Sequence, residues 1–271
     1  MKNAVVIGTL GVALSFAMLA FGYLAGTGNA PATAAPSVMV AESGKPLDRD
    51  AIEAIVHEYL IKNPEVMVEV QAALEARQEE ERRVAQLDTI KGSSDLIFNA
   101  KYDGLIGNPA GKVTVVEFFD YNCGFCKRAL GDLEKLVADH PDVRFVMKEF
   151  PILGPDSQKA AQVSMAFRTL APEKYAEFHT KLLGTQGRAT ENVAIRIATS
   201  LGVEEAALRA EMKNPEITTA FGETYDLANK LSITGTPSYI IGEEVIFGAM
   251  GHQVLAQKIE ETRAACATAS C

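Results

Sequence analysis

The segment Val113-Thr114-Val115-Val116-Glu117-Phe118-Phe119 is almost unbroken in its apolar character and rich in β-branched and aromatic side chains. That is the pattern of a strand buried on both faces. From Cys123 to Ala138 the apolar positions become Leu130, Leu133, Leu136 and Val137, a helical spacing. Val143 to Phe150 is strand-like again. Strand, helix, strand at this length is a βαβ unit, which predicts two parallel neighbouring strands. From Ser157 to Leu231 the pattern is helical, with helices predicted over 157–169, 172–183, 190–201, 204–212 and 215–231. Pro172, the run from Gly184 to Gly187, Gly202 and Asn214-Pro215 separate them. Pro237–Ile241 and Glu244–Phe247, joined at Gly242-Glu243, predict a β-hairpin, and a last helix is predicted over 252–265. The class is α/β: a main domain over 91–265 with a helical insertion at about 155–231.

Residues 48–90 are predicted as a separate helical unit. Asp48 or Asp50 caps a helix with apolar positions Ile52, Ile55, Val56, Tyr59 and Leu60. Asn63-Pro64-Glu65 restarts it, Asn63 as N-cap and Pro64 in the first turn. The second helix carries Val66, Met67, Val70, Ala73 and Leu74, then runs into the charged stretch Gln78–Arg83. A short helical pair cannot bury its apolar stripe alone. It must pack on the main domain or on copies of itself, and the charged stretch, read as a solvated stalk, favours copies. Residues 35–47, rich in Ala, Pro, Ser and Gly, form a flexible linker. In residues 1–34, Lys2 precedes an apolar run from Ala4 to Ala25, and Ala32-Thr33-Ala34 offers a cleavage site. This is the layout of a secretory signal, although residues 4–25 are also long enough for a membrane anchor. Either reading places the rest outside the cytoplasm, in a periplasm.

Charge and cysteine usage narrow the chemistry. The 271 residues carry a formal net charge of −9, which argues against nucleic acid and anionic membrane surfaces as main partners. The four cysteines form two close pairs, Cys123 with Cys126 and Cys266 with Cys271, the latter in the tail 266–271. A structural framework would spread its cysteines through the fold.

Cys-x-x-Cys serves zinc sites and redox pairs alike. Here the first cysteine follows a buried strand and opens a helix, where free N–H groups favour the thiolate. Cys123 is therefore the candidate nucleophile, and Cys126, one turn on, the resolving thiol. A zinc site would need two more ligands. Thr236-Pro237 enters the hairpin; a cis bond there would turn the Thr236 backbone outward to pair with an extended substrate. Glu117, inside the first strand, needs a partner or a proton, and Lys148 on the next strand is the natural one. The two read equally as a proton relay for Cys126 and as a structural ion pair. No cofactor is expected, because Cys123 and Cys126 carry the electrons themselves.

The stretch Val116-Glu117-Phe118-Phe119-Asp120-Tyr121-Asn122-Cys123-Gly124-Phe125-Cys126-Lys127 resembles the active-site strand and helix start of the DsbA-like family. The resemblance spans roughly residues 95–265 and implies a thioredoxin-like fold with a helical insertion. Tyr59-Leu60-Ile61-Lys62-Asn63-Pro64-Glu65 is similar to the N-terminal oligomerisation region of the ScsC (suppressor of copper sensitivity) and Com1-like branch, some of whose members are trimers and others monomers. A homotrimer through residues 48–90 is one implication. Gly124-Phe125 departs from the Pro-His of the oxidase DsbA and is closer to the Gly-Tyr of the isomerase DsbC; Thr236 also resembles isomerases. The resemblance thus implies an exported thiol–disulfide oxidoreductase, isomerase or reductase rather than net dithiol oxidase. Its partners would be unfolded or misoxidised exported proteins and a membrane redox partner. The branch also implies a competing role in copper tolerance through Cu(I) binding. For Cys266 and Cys271, a local disulfide and Cu(I) ligation remain alternatives.

Overall fold

The computed structural model describes residues 48–268. The expected signal or anchor, the linker and Cys271 lie outside them. No helix among the described residues is long and apolar enough to cross a membrane.

Residues up to Asn63 form one unit and those from Pro64 another. In the first, α1 (Arg49–Lys62) starts at Asp48, whose carboxylate accepts from the Ala51 N–H at 2.8 Å. None of its residues is buried. Asn63 turns back rather than forward: its side-chain amide donates to the Tyr59 carbonyl at 2.8 Å, so it closes α1 instead of capping the next helix.

The second unit opens with α2 (Glu65–Gly92), one continuous helix of 28 residues. Its last turns dock on the body. Gln86 and Ile90 are buried, the Gln86 side chain donates to the Leu231 carbonyl at 2.7 Å, and the Arg82 guanidinium lies 5.9 Å from the Phe247 ring centroid. The charged stretch and the docked end thus belong to one unbroken helix, which runs to Gly92.

The body continues through α3 (Ser94–Phe98), β1 (Gly104–Gly107), β2 (Val113–Phe119), α4 (Gly124–Asp139) and β3 (Val143–Glu149). The insertion follows: α5 (Pro155–Leu170), a 3-10 turn at Pro172–Lys174, α6 (Tyr175–Leu183), α7 (Glu191–Ser200), α8 (Glu205–Glu211) and α9 (Pro215–Lys230). β4 (Ser238–Ile241), β5 (Glu244–Phe247) and α10 (His252–Thr268) complete it. The sheet order is β1-β3-β2-β4-β5; β2 and β3 are parallel and every other pair antiparallel. This is the thioredoxin-like architecture with a helical insertion.

The sheet separates two cores. Val115, Phe119, Phe145, Met147, Tyr239 and Ile241 face α4, α10 and the insertion. Val116, Phe118, Val146 and Ile240 face Ile90, Ile97, Leu227 and Leu231. Alternation along the strands enforces this division and corrects one expectation. Glu117 pairs in register with Met147, and Lys148 with Phe118, so Glu117 and Lys148 stand on opposite faces. Lys148 instead donates to the Asp103 carboxylate and the Leu96 carbonyl. It is a structural cation. Burial pushes the Asp103 carboxyl up to about 6 against the pull of Lys148. Asp103→Ala would leave that ammonium buried and unpaired. It is expected to cost about 3–5 kcal/mol, read as a fall in the urea midpoint, while replacing both residues by apolar ones of similar volume should cost much less.

Candidate active site

The end of β2 delivers the chain into Asp120-Tyr121-Asn122, and two short side chains hold the turn. The Asp120 carboxylate accepts from the Asn122 N–H at 2.7 Å and from the Leu153 N–H at 2.9 Å. The Asn122 side chain accepts from the Ala189 N–H at 2.8 Å and donates to the Ala189 carbonyl and the Ser157 hydroxyl. The loop preceding the first cysteine is thus bolted to the insertion. Lys127 adds a third tie, its ammonium donating to the Thr185 and Gly187 carbonyls at 2.8 Å each. Asp120, Asn122 and Lys127 were missed as site residues in the sequence. An Asp two residues before Asn, just ahead of a helix, is the turn signal that could have marked the first two.

Beneath this loop the Tyr121 hydroxyl bonds Ser164 at 2.8 Å and His179 at 3.3 Å. Burial holds His179 neutral, its imidazole pushed down to about 3.

Cys123 is the N-cap of α4, in extended conformation, and 6% exposed; Cys126 is fully buried. Both are free thiols. The Cys123 thiol donates to the Thr236 carbonyl at 3.2 Å, across the cis Thr236-Pro237 peptide bond. Its pKa is drawn down to about 5, chiefly by the hydrogen bond from Cys126. The Thr236 side chain and the Cys126 and Phe125 backbone N–H groups add to this against the opposing effect of burial. Cys126 is driven the other way, by its hydrogen bond to Cys123, by burial and by the charge of Glu117. One sulfur is a ready thiolate and its neighbour holds its proton. Gly124 and Phe125 sit between them, with Phe125 exposed and the Arg128 guanidinium 4.2 Å from its ring centroid.

Glu117 lies on the same sheet face as the cysteine helix, opposite Tyr239 on β4. Burial, with the negative charge of Cys123, pushes its carboxyl up to about 8. Of the two residues expected as a relay, Glu117 stands on the face where Cys126 lies and Lys148 does not. Among the described residues no group of three or more metal-ligating side chains comes together. Cys266 is disulfide-bonded.

The DSBA-like thioredoxin domain matches residues 114–260, and the copper resistance protein ScsC N-terminal domain matches residues 48–81. Among solved structures, a thioredoxin-like oxidoreductase from Silicibacter pomeroyi is 39% identical with a TM-score of 0.59, covering 63% of this chain and 97% of that one. A linker-deletion variant of Proteus mirabilis ScsC is 25% identical with a TM-score of 0.62, covering 82% and 99%. A curated relative, Na(+)/H(+) antiporter NhaA 3 of Salinispora tropica, is 29% identical over 166 residues, 59% of this chain. The chain spans only about a quarter of that protein's length, 25%. The long match over the sheet, cysteine helix and insertion, together with the match over α1 and the start of α2, shows that this chain belongs to the DsbA-like thioredoxin-domain family and carries an ScsC N-terminal domain.

Proposed function

We propose that this chain is an exported thiol–disulfide oxidoreductase acting on unfolded or misoxidised proteins, as an isomerase or reductase rather than a net oxidase. The observation that carries the reading is the opposed acidity of the two sulfurs at one helix start, with the Thr236 carbonyl against the outer one. Cys123 thiolate attacks a substrate disulfide, forms a new S–S bond and releases one substrate sulfur as thiolate. In isomerisation that freed thiolate attacks another substrate disulfide and finally displaces Cys123, so no net electrons move. In reduction Cys126 attacks Cys123 Sγ, the mixed disulfide breaks, and the pair leaves oxidised. Cys126 first gives its proton to Glu117 in the ionised fraction, which grows as the pH approaches 8, and the proton passes to the second departing substrate sulfur. Gly124-Phe125 supports the isomerase direction through its resemblance to the Gly-Tyr of DsbC, and Thr236 through its resemblance to isomerases in general. A membrane reductant would then restore the dithiol.

The exposed Ile52, Ile55, Val56 and Tyr59 of α1 support self-association through the N-terminal region, with a trimer as the proposed state. The test combines reactivation of a scrambled disulfide protein, oxidation of a reduced one and reduction of a stable one with the mass in solution. Isomerisation exceeding oxidation is the expected profile. Oxidation outrunning isomerisation in a monomer would sink the proposed direction. The copper-resistance description of the N-terminal match favours a second reading, Cu(I) binding. Stoichiometric Cu(I) uptake without any disulfide turnover is the result that would select it.

A further inference from the structure

Two cations follow the second cysteine, and they are used differently. The ammonium of Lys127 is spent on the Thr185 and Gly187 carbonyls. Arg128 has no hydrogen bond and no ion pair within 4.0 Å among the described residues, although Asp132 stands one turn further along α4. Its guanidinium is nonetheless located: it lies 4.2 Å from the exposed Phe125 ring centroid. A Cβ added to Gly124 would come within 3.8 Å of Nη1. The ring holds the charge over the two residues between the cysteines. The first turn of α4 contains no acidic residue to neutralise it. A planar guanidinium with its donors unspent is built to take a carboxylate. Against a chain of net charge −9, this is a local reversal of sign at the Gly124-Phe125 step between the two cysteines.

Building on the thiol–disulfide reading, we infer that Arg128, held on Phe125, is a specificity-determining residue that favours disulfides bearing a carboxylate close to the sulfur attacked by Cys123. The substrate class is acidic peptide segments around a cystine, and small anionic disulfides share the same chemistry. The electron balance is that of the reaction above. Cys123 Sγ bonds one substrate sulfur as the S–S bond breaks, and the other sulfur leaves as thiolate. Cys126 then closes on Cys123, its proton ending on the second departing sulfur. One substrate sulfur thus leaves as a thiol and the other as a thiolate that takes its proton from water, as the reduced protein pair becomes a disulfide.

The test is the single-turnover rate of the reduced protein with three disulfides: anionic dithiodipropionate, cationic cystamine and neutral hydroxyethyl disulfide. Opposite charges about 6 Å apart near water change a rate by a few-fold each, so the anionic-to-cationic ratio is expected at about ten. It should fall to about two or less in Arg128→Gln and be largely kept in Arg128→Lys. Raising the salt to about 1 M should shrink it in the unmodified protein, a reading that needs no variant. A ratio that is equal in the unmodified protein and Arg128→Gln, or insensitive to salt, would overturn the inference while leaving the disulfide chemistry intact. Failure of the unmodified protein to react with hydroxyethyl disulfide would instead remove the activity on which the inference rests.

Discussion

Cys123→Ser is expected to lose disulfide exchange by at least about a thousandfold, because a serine hydroxyl at neutral pH is neither ionised nor a leaving group in sulfur exchange. Cys126→Ser should behave differently. It keeps the attacking sulfur and lacks the resolving one, so a mixed disulfide with substrate should accumulate and be visible as a shifted band without reductant. The pH dependence belongs to Cys123. With its thiol at about 5, alkylation by iodoacetamide should be close to its plateau at pH 7 and fall away as the pH drops through about 5. The folded pKa lies below the ordinary thiol value, so the thiolate adds to the stability of the reduced protein above pH 5. That contribution is lost as the pH falls through 5. Alkylation that rises only near pH 9, or exchange surviving in Cys123→Ser, would remove the assignment of the nucleophile.

Glu117→Gln should make the protein more stable and less active at once. Glu117 is buried with its carboxyl at about 8, well above the unfolded value. Below about pH 4.5 both states hold the proton and the residue favours neither. As the pH rises the unfolded chain releases the proton while the folded chain retains it, so stability is lost until the folded group also ionises near 8. Removing the titration should therefore stabilise the protein by on the order of 4 kcal/mol at pH 8 and by almost nothing at pH 4. Urea midpoints at the two pH values check this. The same substitution removes the base that takes the Cys126 proton. The resolving step, followed as decay of a preformed mixed disulfide, should slow by about 10²-fold and lose its inflection near pH 8. Slowing without stabilisation would point to a packing defect. Stabilisation without slowing would mean Cys126 loses its proton by another route.

Much of this architecture was legible from local pattern. α4 shows a helical period, β2 and β3 are short runs rich in β-branched and aromatic residues, and each insertion helix lies between breakers that act through backbone geometry. β1 was missed for the converse reason. Gly-Leu-Ile-Gly has neither alternation nor strand propensity, and Gly104 is there for packing: a Cβ at that position would stand 1.9 Å from the Tyr175 ring. An edge strand of four residues is specified by the partner it joins. Charge along 78–83 signals exposure, yet an exposed face does not end a helix whose opposite face docks further on, so α2 continues to Gly92.

The sequence by itself determined that Cys123 opens a helix after a buried strand, that Cys126 follows one turn later, and that a Thr-Pro step precedes the hairpin. These are neighbour relations along the chain, and local spacing encodes them. Only the tertiary structure decided that Thr236 lies against Cys123, and that the two thiols are driven to opposite acidities by hydrogen bonding and burial. It also decided that Lys148 serves Asp103 and not Glu117. Sequence reading could place Glu117 and Lys148 on adjacent strands, but not the register between those strands. A shift of one residue sends a side chain through the sheet to the other core. That register is why Glu117 stands on the face of Cys126 without its expected partner.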